Sequence, residues 1–265
     1  MQFVRIEGVT IAYDVITADP ANPVLVLVNS LGTDARIWHL VVPKLAEDFT
    51  VVTYDKRGHG LSDLGNPPYR IEDHVADLAG LLDHLEFSDA IICGLSVGGL
   101  VAQGLYAQRP DLVRALVLAD TAHKIGTVEM WDKRIAAIED AGIAAILDDI
   151  MARWFTAPFR SPENAAYGAY CNMLLRQPVS GYTGTCAAIR DADFTKEAQA
   201  IAVPTLCIVG EQDGSTPPDL VRSLANLIPG AQFEAIEGAA HIPCAEAPAA
   251  FAAVVRSFIV NDVKD

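Results

Sequence analysis

Ala90-Ile91-Ile92-Cys93-Gly94-Leu95-Ser96-Val97-Gly98-Gly99-Leu100 is the stretch on which the fold turns. Its first four residues are small or apolar without alternation, as expected of a strand buried on both faces. From Val97 the spacing predicts a helix running to Gln108, which Pro110 stops. Nothing separates strand from helix except Gly94-Leu95-Ser96-Val97-Gly98, a GxSxG pattern. Such a turn is strained and crowded, so it needs small residues around the serine. It lifts the serine hydroxyl above the sheet, and the helix N-terminus beneath favours developing negative charge. The five-residue pattern is weak by itself, and the strand–turn–helix setting gives it weight.

Working outward, Phe3–Ile6 and Thr10–Val15 flank Glu7-Gly8-Val9 and suggest an opening hairpin. Val24–Val28, Thr50–Tyr54 and Ala115–Ala119 read as further buried strands. Between them Ile71–Leu85 has helical spacing, with Val75, Leu78, Leu81, Leu82 and Leu85 on one face. Strands alternating with helices predict a mostly parallel sheet flanked by helices. From Thr121 to Ala202 the pattern changes: Trp131–Ala141, Ile143–Trp154, Pro162–Leu175 and Val179–Arg190 all read as helices. Strands resume at Pro204–Val209 and Gln232–Ile236, and Pro248–Ile259 reads as a closing helix. The expected organisation is a core from residues 1–120 and 203–265, with a helical cap, 121–202, inserted into it.

A serine hydroxyl is a poor nucleophile until a base takes its proton. On a strand–serine–helix turn the chain order is serine, acid, histidine. His241 follows the last strand within Gly238-Ala239-Ala240-His241 and is the only histidine after His123. The acid should follow the strand Pro204–Val209, where Gly210-Glu211-Gln212-Asp213 offers Asp213. Glu211 and Asp120, just past another strand, are the alternatives. The acid holds the imidazole tautomer and stabilises the imidazolium. Two backbone N–H groups must then receive the oxyanion: that of Val97, after the nucleophile, and that of Leu31 in Asn29-Ser30-Leu31-Gly32-Thr33. Asp55-Lys56-Arg57-Gly58-His59-Gly60-Leu61-Ser62 holds two tempting catalytic types, His59 and Ser62. It reads better as a tight turn in which Arg57 ties neighbouring loops together.

The chain has 265 residues, 51% of them hydrophobic, enough for one sizeable core. Its formal net charge of −15 should repel nucleic acid and anionic lipid, so neither nucleic acid nor membrane is expected as a partner. No segment reads as a signal peptide or a membrane span. The five cysteines, odd in number and without CxxC spacing, read as small buried hydrophobes in a reducing compartment, and the expected location is cytoplasmic. His39, His74, His84 and His123 lack partners at metal-ligand spacing, so no metal is expected.

The oxyanion loop, Asp55–Ser62, the turn at Ser96, Gly210–Asp213 and His241 together make the whole chain resemble the α/β-hydrolases. Within them it is most similar to the 3-oxoadipate enol-lactonases. That narrower resemblance rests on Asn29–Thr33, Leu95–Leu100 and above all Asp120-Thr121-Ala122-His123-Lys124-Ile125-Gly126-Thr127, with Met130-Trp131 and Arg134-Ile135. Val97 stands where relatives would carry a longer aliphatic residue, and Asn29-Ser30 where many carry His-Gly. The resemblance implies that a small-molecule lactone, the enol-lactone of 3-oxoadipate, is opened by water without a cofactor in the β-ketoadipate pathway of aromatic breakdown. A general carboxylesterase or a carbon–carbon hydrolase of ring-cleavage products would use the same three groups. A ligand-binding receptor on a hydrolase scaffold is the non-enzymatic alternative. The lactone carries a free carboxylate, so an acidic protein needs a local cation for it. Trp131 and Arg134, three apart on a predicted helix, share a face and are the chosen pair. Lys124, Lys133, Arg153 and Arg190 compete.

Overall fold

The computed structural model describes residues 1–263. Eight strands form one sheet: β1 (Gln2–Ile6), β2 (Val9–Ile16), β3 (Val24–Val28), β4 (Thr50–Tyr54), β5 (Ala90–Leu95), β6 (Val113–Ala119), β7 (Thr205–Gly210) and β8 (Gln232–Ile236). Their spatial order is β1-β2-β4-β3-β5-β6-β7-β8. The opening hairpin is antiparallel, β2 joins β4 antiparallel, and every later pairing is parallel. The exchange of β3 and β4 puts β3, β5 and β6 side by side in the middle. Their apolar runs are buried on both faces, as a helix-covered parallel sheet requires.

The predicted strands and long helices are present, with shifts at their ends. The helix expected from Pro162 begins at Ala165, because the Asn164 side chain accepts the Ala166 N–H and caps it there. The helix expected over Ile143–Trp154 is a 3₁₀ turn, Ile143–Ile146, followed by an α-helix, Leu147–Trp154. The first helix of the insert starts earlier than its apolar spacing suggested, at Val128, where the Thr127 hydroxyl accepts the Met130 N–H. Single-turn helices at Val42–Leu45, Thr195–Ala198 and Pro243–Glu246 are too short to show a period in the sequence, and the ten-residue helix Pro218–Leu227 between β7 and β8 was also not foreseen.

Between β6 and β7 every described element is a helix. These helices share one apolar core with the sheet. Trp131, Trp154, Tyr182 and Leu174 are buried in the same continuous cluster as Leu31, Val97 and the central strands. Burying each such large side chain contributes about 1.5–3 kcal/mol, so the helices are held over the strand ends by packing. All five cysteines are free, four buried and Cys171 half-buried. Among the described residues no helix is long and apolar enough to cross a membrane.

Candidate active site

At the C-terminal end of β5, Ser96 has φ +59° and ψ −116°, a conformation that an L-residue holds only under constraint. The constraint is packing. A side-chain carbon on Gly94 would run into the carbonyl of Gly98, and one on Gly98 into the carbonyl of Val28. The two glycines of the motif therefore let the helix Val97–Gln108 start directly against β3 and β5. Ser96 itself is tied down by its N–H, which donates to Ala119 (2.9 Å), and by its carbonyl, which accepts the Thr121 hydroxyl (2.6 Å).

His241 Nδ1 lies 2.8 Å from Asp213 Oδ2. A carboxylate only accepts, so Nδ1 carries the hydrogen and Nε2 is left as the basic nitrogen. Asp213 is held from all sides. Its Oδ1 accepts the N–H groups of Ser215 (2.7 Å) and Thr216 (3.0 Å), and its Oδ2 accepts the Thr216 hydroxyl (2.6 Å). Burial opposes its charge, but His241, the Thr216 hydroxyl and the Ser215 N–H outweigh that and hold the carboxyl below the usual range. Thr216 had no place in the sequence argument, although an Asp-x-x-Thr spacing after a strand is a turn-forming pattern.

The alternative acids separate cleanly. Glu211 lies on the exposed surface. Asp120 is fully buried beside the pair, with one oxygen accepting the Gly210 N–H (2.9 Å). Burial, and then the Asp213 charge, push its carboxyl well above the usual range. Asp120, Asp213 and His241 place three potential ligand atoms within 4.8 Å of one another. Two of those atoms, His241 Nδ1 and Asp213 Oδ2, are already hydrogen-bonded to each other.

The loop Asn29–Thr33 follows β3. Among the described residues, neither the Leu31 nor the Val97 backbone N–H donates to another protein group; Leu31 lines the cleft. The turn after β4 supports this loop. His59 Nε2 accepts the Gly32 N–H (3.1 Å). Ser62 accepts the Ala12 N–H and donates to the Asp55 carbonyl. Arg57 forms a bidentate buried pair with Asp77 (2.6 and 2.7 Å), tying the turn to the helix Ile71–His84. His59 and Ser62 are thus structural, as read from the sequence. Burial, then the Lys56 charge, lower the His59 pKa well below its ordinary value.

Ser96, His241 and Leu31 line one narrow cleft, with about 70 Å³ of open space inside it. Its far wall is helical and includes Trp131, Arg134, Arg153, Trp154 and Tyr182. Trp131 is buried and its indole N–H donates to the Ile125 carbonyl (2.6 Å). Arg134 stacks over that ring, 4.6 Å from its centroid, so the two side chains do share a face. Of the competing cations, Arg153 also lines the cleft. Lys124 pairs with Asp193 and Arg190 with Asp132 and Asp191, while Lys133 is exposed. Tyr182 and Trp154 were not anticipated. Their helix positions are apolar-face positions, and nothing local distinguishes a cleft-lining aromatic from a core one.

A mostly parallel sheet with this strand order, a strained serine between β5 and its helix, and an Asp–His pair after β7 and β8 describe an α/β-hydrolase. The sequence profile of the alpha/beta hydrolase family matches residues 25–254, and the chain belongs to that family. Among individual relatives, 3-oxoadipate enol-lactonase 2 of Acinetobacter baylyi is 34% identical over 230 residues, 87% of this chain and 86% of its own. The crystal structure of the enol-lactonase from Burkholderia xenovorans LB400 superposes with a TM-score of 0.95 at 35% identity, covering 98% of this chain and all of that one. A thermophilic esterase from Thermogutta terrifontis, solved with malate bound, gives a TM-score of 0.92 at 25% identity over the full length of both chains.

Proposed function

We propose that this hydrolase opens the enol-lactone of 3-oxoadipate by two-step acyl transfer through Ser96, in the β-ketoadipate route of aromatic breakdown. The observation that carries this reading is the pairing of two walls in one cleft: Ser96 and His241 on one side, Arg134 stacked on Trp131 on the other. Ser96 Oγ attacks the lactone carbonyl while His241 Nε2 takes its proton. The N–H groups of Leu31 and Val97 receive the oxyanion. Collapse breaks the ring C–O bond, and the enolate leaves more readily than an alkoxide would. The proton on His241 goes to it, and the enol becomes a ketone. Water, giving a proton to the same nitrogen, then attacks the acyl-serine; the acyl–Oγ bond breaks, freeing the acid, and His241 returns the proton to Ser96 Oγ. Asp213 keeps the tautomer and offsets the imidazolium charge throughout. The guanidinium of Arg134 binds the carboxylate that takes no part in the chemistry, compensating locally for the acidic surface. No metal or cofactor enters these steps.

A second reading, a general carboxylesterase, is favoured by the mostly apolar cleft wall and by the esterase neighbour. The test is a comparison of kcat/KM for the enol-lactone and for a neutral ester of similar size. The lactonase reading expects a preference for the lactone of about ten- to a hundredfold, the worth of one hydrogen bond to a charged group. Equal rates, or a preference for the ester, would favour the esterase. Turnover of neither would leave a binding protein on a hydrolase scaffold.

A further inference from the structure

The triad and the cleft wall leave one buried charge without a task. Lys56 is fully buried in the turn after β4. Its ammonium donates to the Ser30 carbonyl (2.5 Å) and to the Thr33 carbonyl (3.3 Å). Among the described residues no carboxylate lies within ion-pair distance of it. Asp55 is occupied by the N–H groups of Ala35 and Leu61, and Asp34 by Arg36. Burying an ammonium against neutral oxygens is costly, and an uncharged side chain would fill the space without that cost. The acceptor supplies a reason. The Ser30 carbonyl and the Leu31 N–H are the two ends of one peptide group.

We propose that Lys56 is a positioning residue for the oxyanion hole: it holds and polarises the Ser30–Leu31 peptide, so that the Leu31 N–H is aimed into the cleft and strengthened as a donor. The inference rests on the assignment of Leu31 as an oxyanion donor made above. A carbonyl bound by a cation draws density from its own peptide nitrogen, and hydrogen bonds in such a chain reinforce one another at low dielectric. The rest of the loop is fastened to match. The Ser30 carbonyl also accepts the Thr33 N–H (3.3 Å) and hydroxyl (2.9 Å), Asn29 Nδ2 donates to the Thr33 carbonyl (2.7 Å), and His59 accepts the Gly32 N–H. The charges facing Lys56 are those of Asp55 and Asp34, which favour its ammonium form. Burial acts the other way and brings its pKa down to about 7. Its histidine neighbours, His59 and His74, are buried and held neutral.

Lys56→Met keeps the length of the side chain and removes its charge and donors. Removing an oxyanion donor outright costs about 10²–10³ in kcat. Weakening one through its peptide should lower kcat about ten- to a hundredfold, with KM nearly unchanged. Lys56→Arg, which keeps the cation, should recover part of that loss. Rates are normalised to active sites counted by acylation, so a partly unfolded preparation does not mimic the effect. A folded Lys56→Met protein with kcat within twofold of wild type, while Ser96→Ala is inactive, overturns the proposal alone. Activity that survives Ser96→Ala overturns it together with the serine mechanism. If Lys56→Met does not fold, the wild-type pH profile decides. Loss of the ammonium should give kcat a falling alkaline limb with a midpoint at or above about 7, and a flat profile to high pH overturns the proposal.

Discussion

On the sheet side of the cleft, each group stands just past a strand: Leu31 after β3, Ser96 after β5, Asp213 after β7 and His241 after β8. Backbone hydrogen bonds and close glycine contacts hold them, and all four are buried. On the helical side, Arg134, Arg153 and Tyr182 come from three different helices and meet only through tertiary packing. The first wall is specified by the backbone, whereas the second is specified by side chains lying on helices. Substitutions on the sheet side should therefore appear in kcat, and those on the helical side in KM and in substrate choice.

The sharpest test of that division is Ser96→Ala. It deletes one atom on the sheet side and should lower kcat on the order of 10⁶-fold, leaving a residue of catalysis from the oxyanion donors and binding. Steady-state rates on protein with an unchanged melting temperature check it, and near-wild-type turnover would end the serine mechanism. Asp213→Asn comes next. The amide presents the wrong partner to Nδ1–H, and the loss should be on the order of 10⁴-fold in kcat with little change in KM.

The helical wall should break differently. Arg134→Met should raise KM for the enol-lactone about ten- to a hundredfold and leave a neutral ester of similar size nearly untouched. An equal loss on both substrates would mean that the stack on Trp131 is needed to hold the helix. No loss on either would transfer the anion to Arg153, the other cation in the cleft.

The same division explains what could be read from the sequence. The elbow was legible because a backbone without room for Cβ forces glycine, and Gly94 and Gly98 stand out in the letters. That Ser96, Asp213 and His241 come together followed from strand order, since a parallel sheet delivers its loops to one edge. That Arg134 and Trp131 share a face was reachable through helical spacing. Thr216, Tyr182 and Arg153 were not singled out for the right reason, because their roles depend on which helix lies over which strand end. Lys56 was hidden for another reason: its partner is a backbone carbonyl in a loop 26 positions away, and a main-chain oxygen leaves no mark in a sequence.

Asp120 gives the smallest effect and the finest test of the sheet side. It stands after β6 with φ +46°, in contact range of both Asp213 and His241, and would pass for the catalytic acid on position alone. Its environment argues otherwise. Asp213 has three donors besides His241, while Asp120 accepts only the Gly210 N–H among the described residues. Asp120→Asn keeps an acceptor for that N–H and presents N–H donors where the acid carried its proton, so turnover should stay within about threefold of wild type, far from the loss in Asp213→Asn. The substitution has a second, pH-dependent readout. Burial and the Asp213 charge raise the folded pKa of Asp120 above its unfolded value, so the native state holds a proton that the unfolded chain releases above roughly pH 4. Stability from this group is therefore complete below that pH and is lost as pH rises towards the folded pKa. Asparagine does not titrate, so Asp120→Asn should gain stability relative to wild type between pH 4.5 and pH 8, measured as the difference in melting temperature. A difference that does not grow with pH would mean Asp120 is ionised in the native state. A loss in Asp120→Asn exceeding that in Asp213→Asn would move the acid of the triad from β7 to β6.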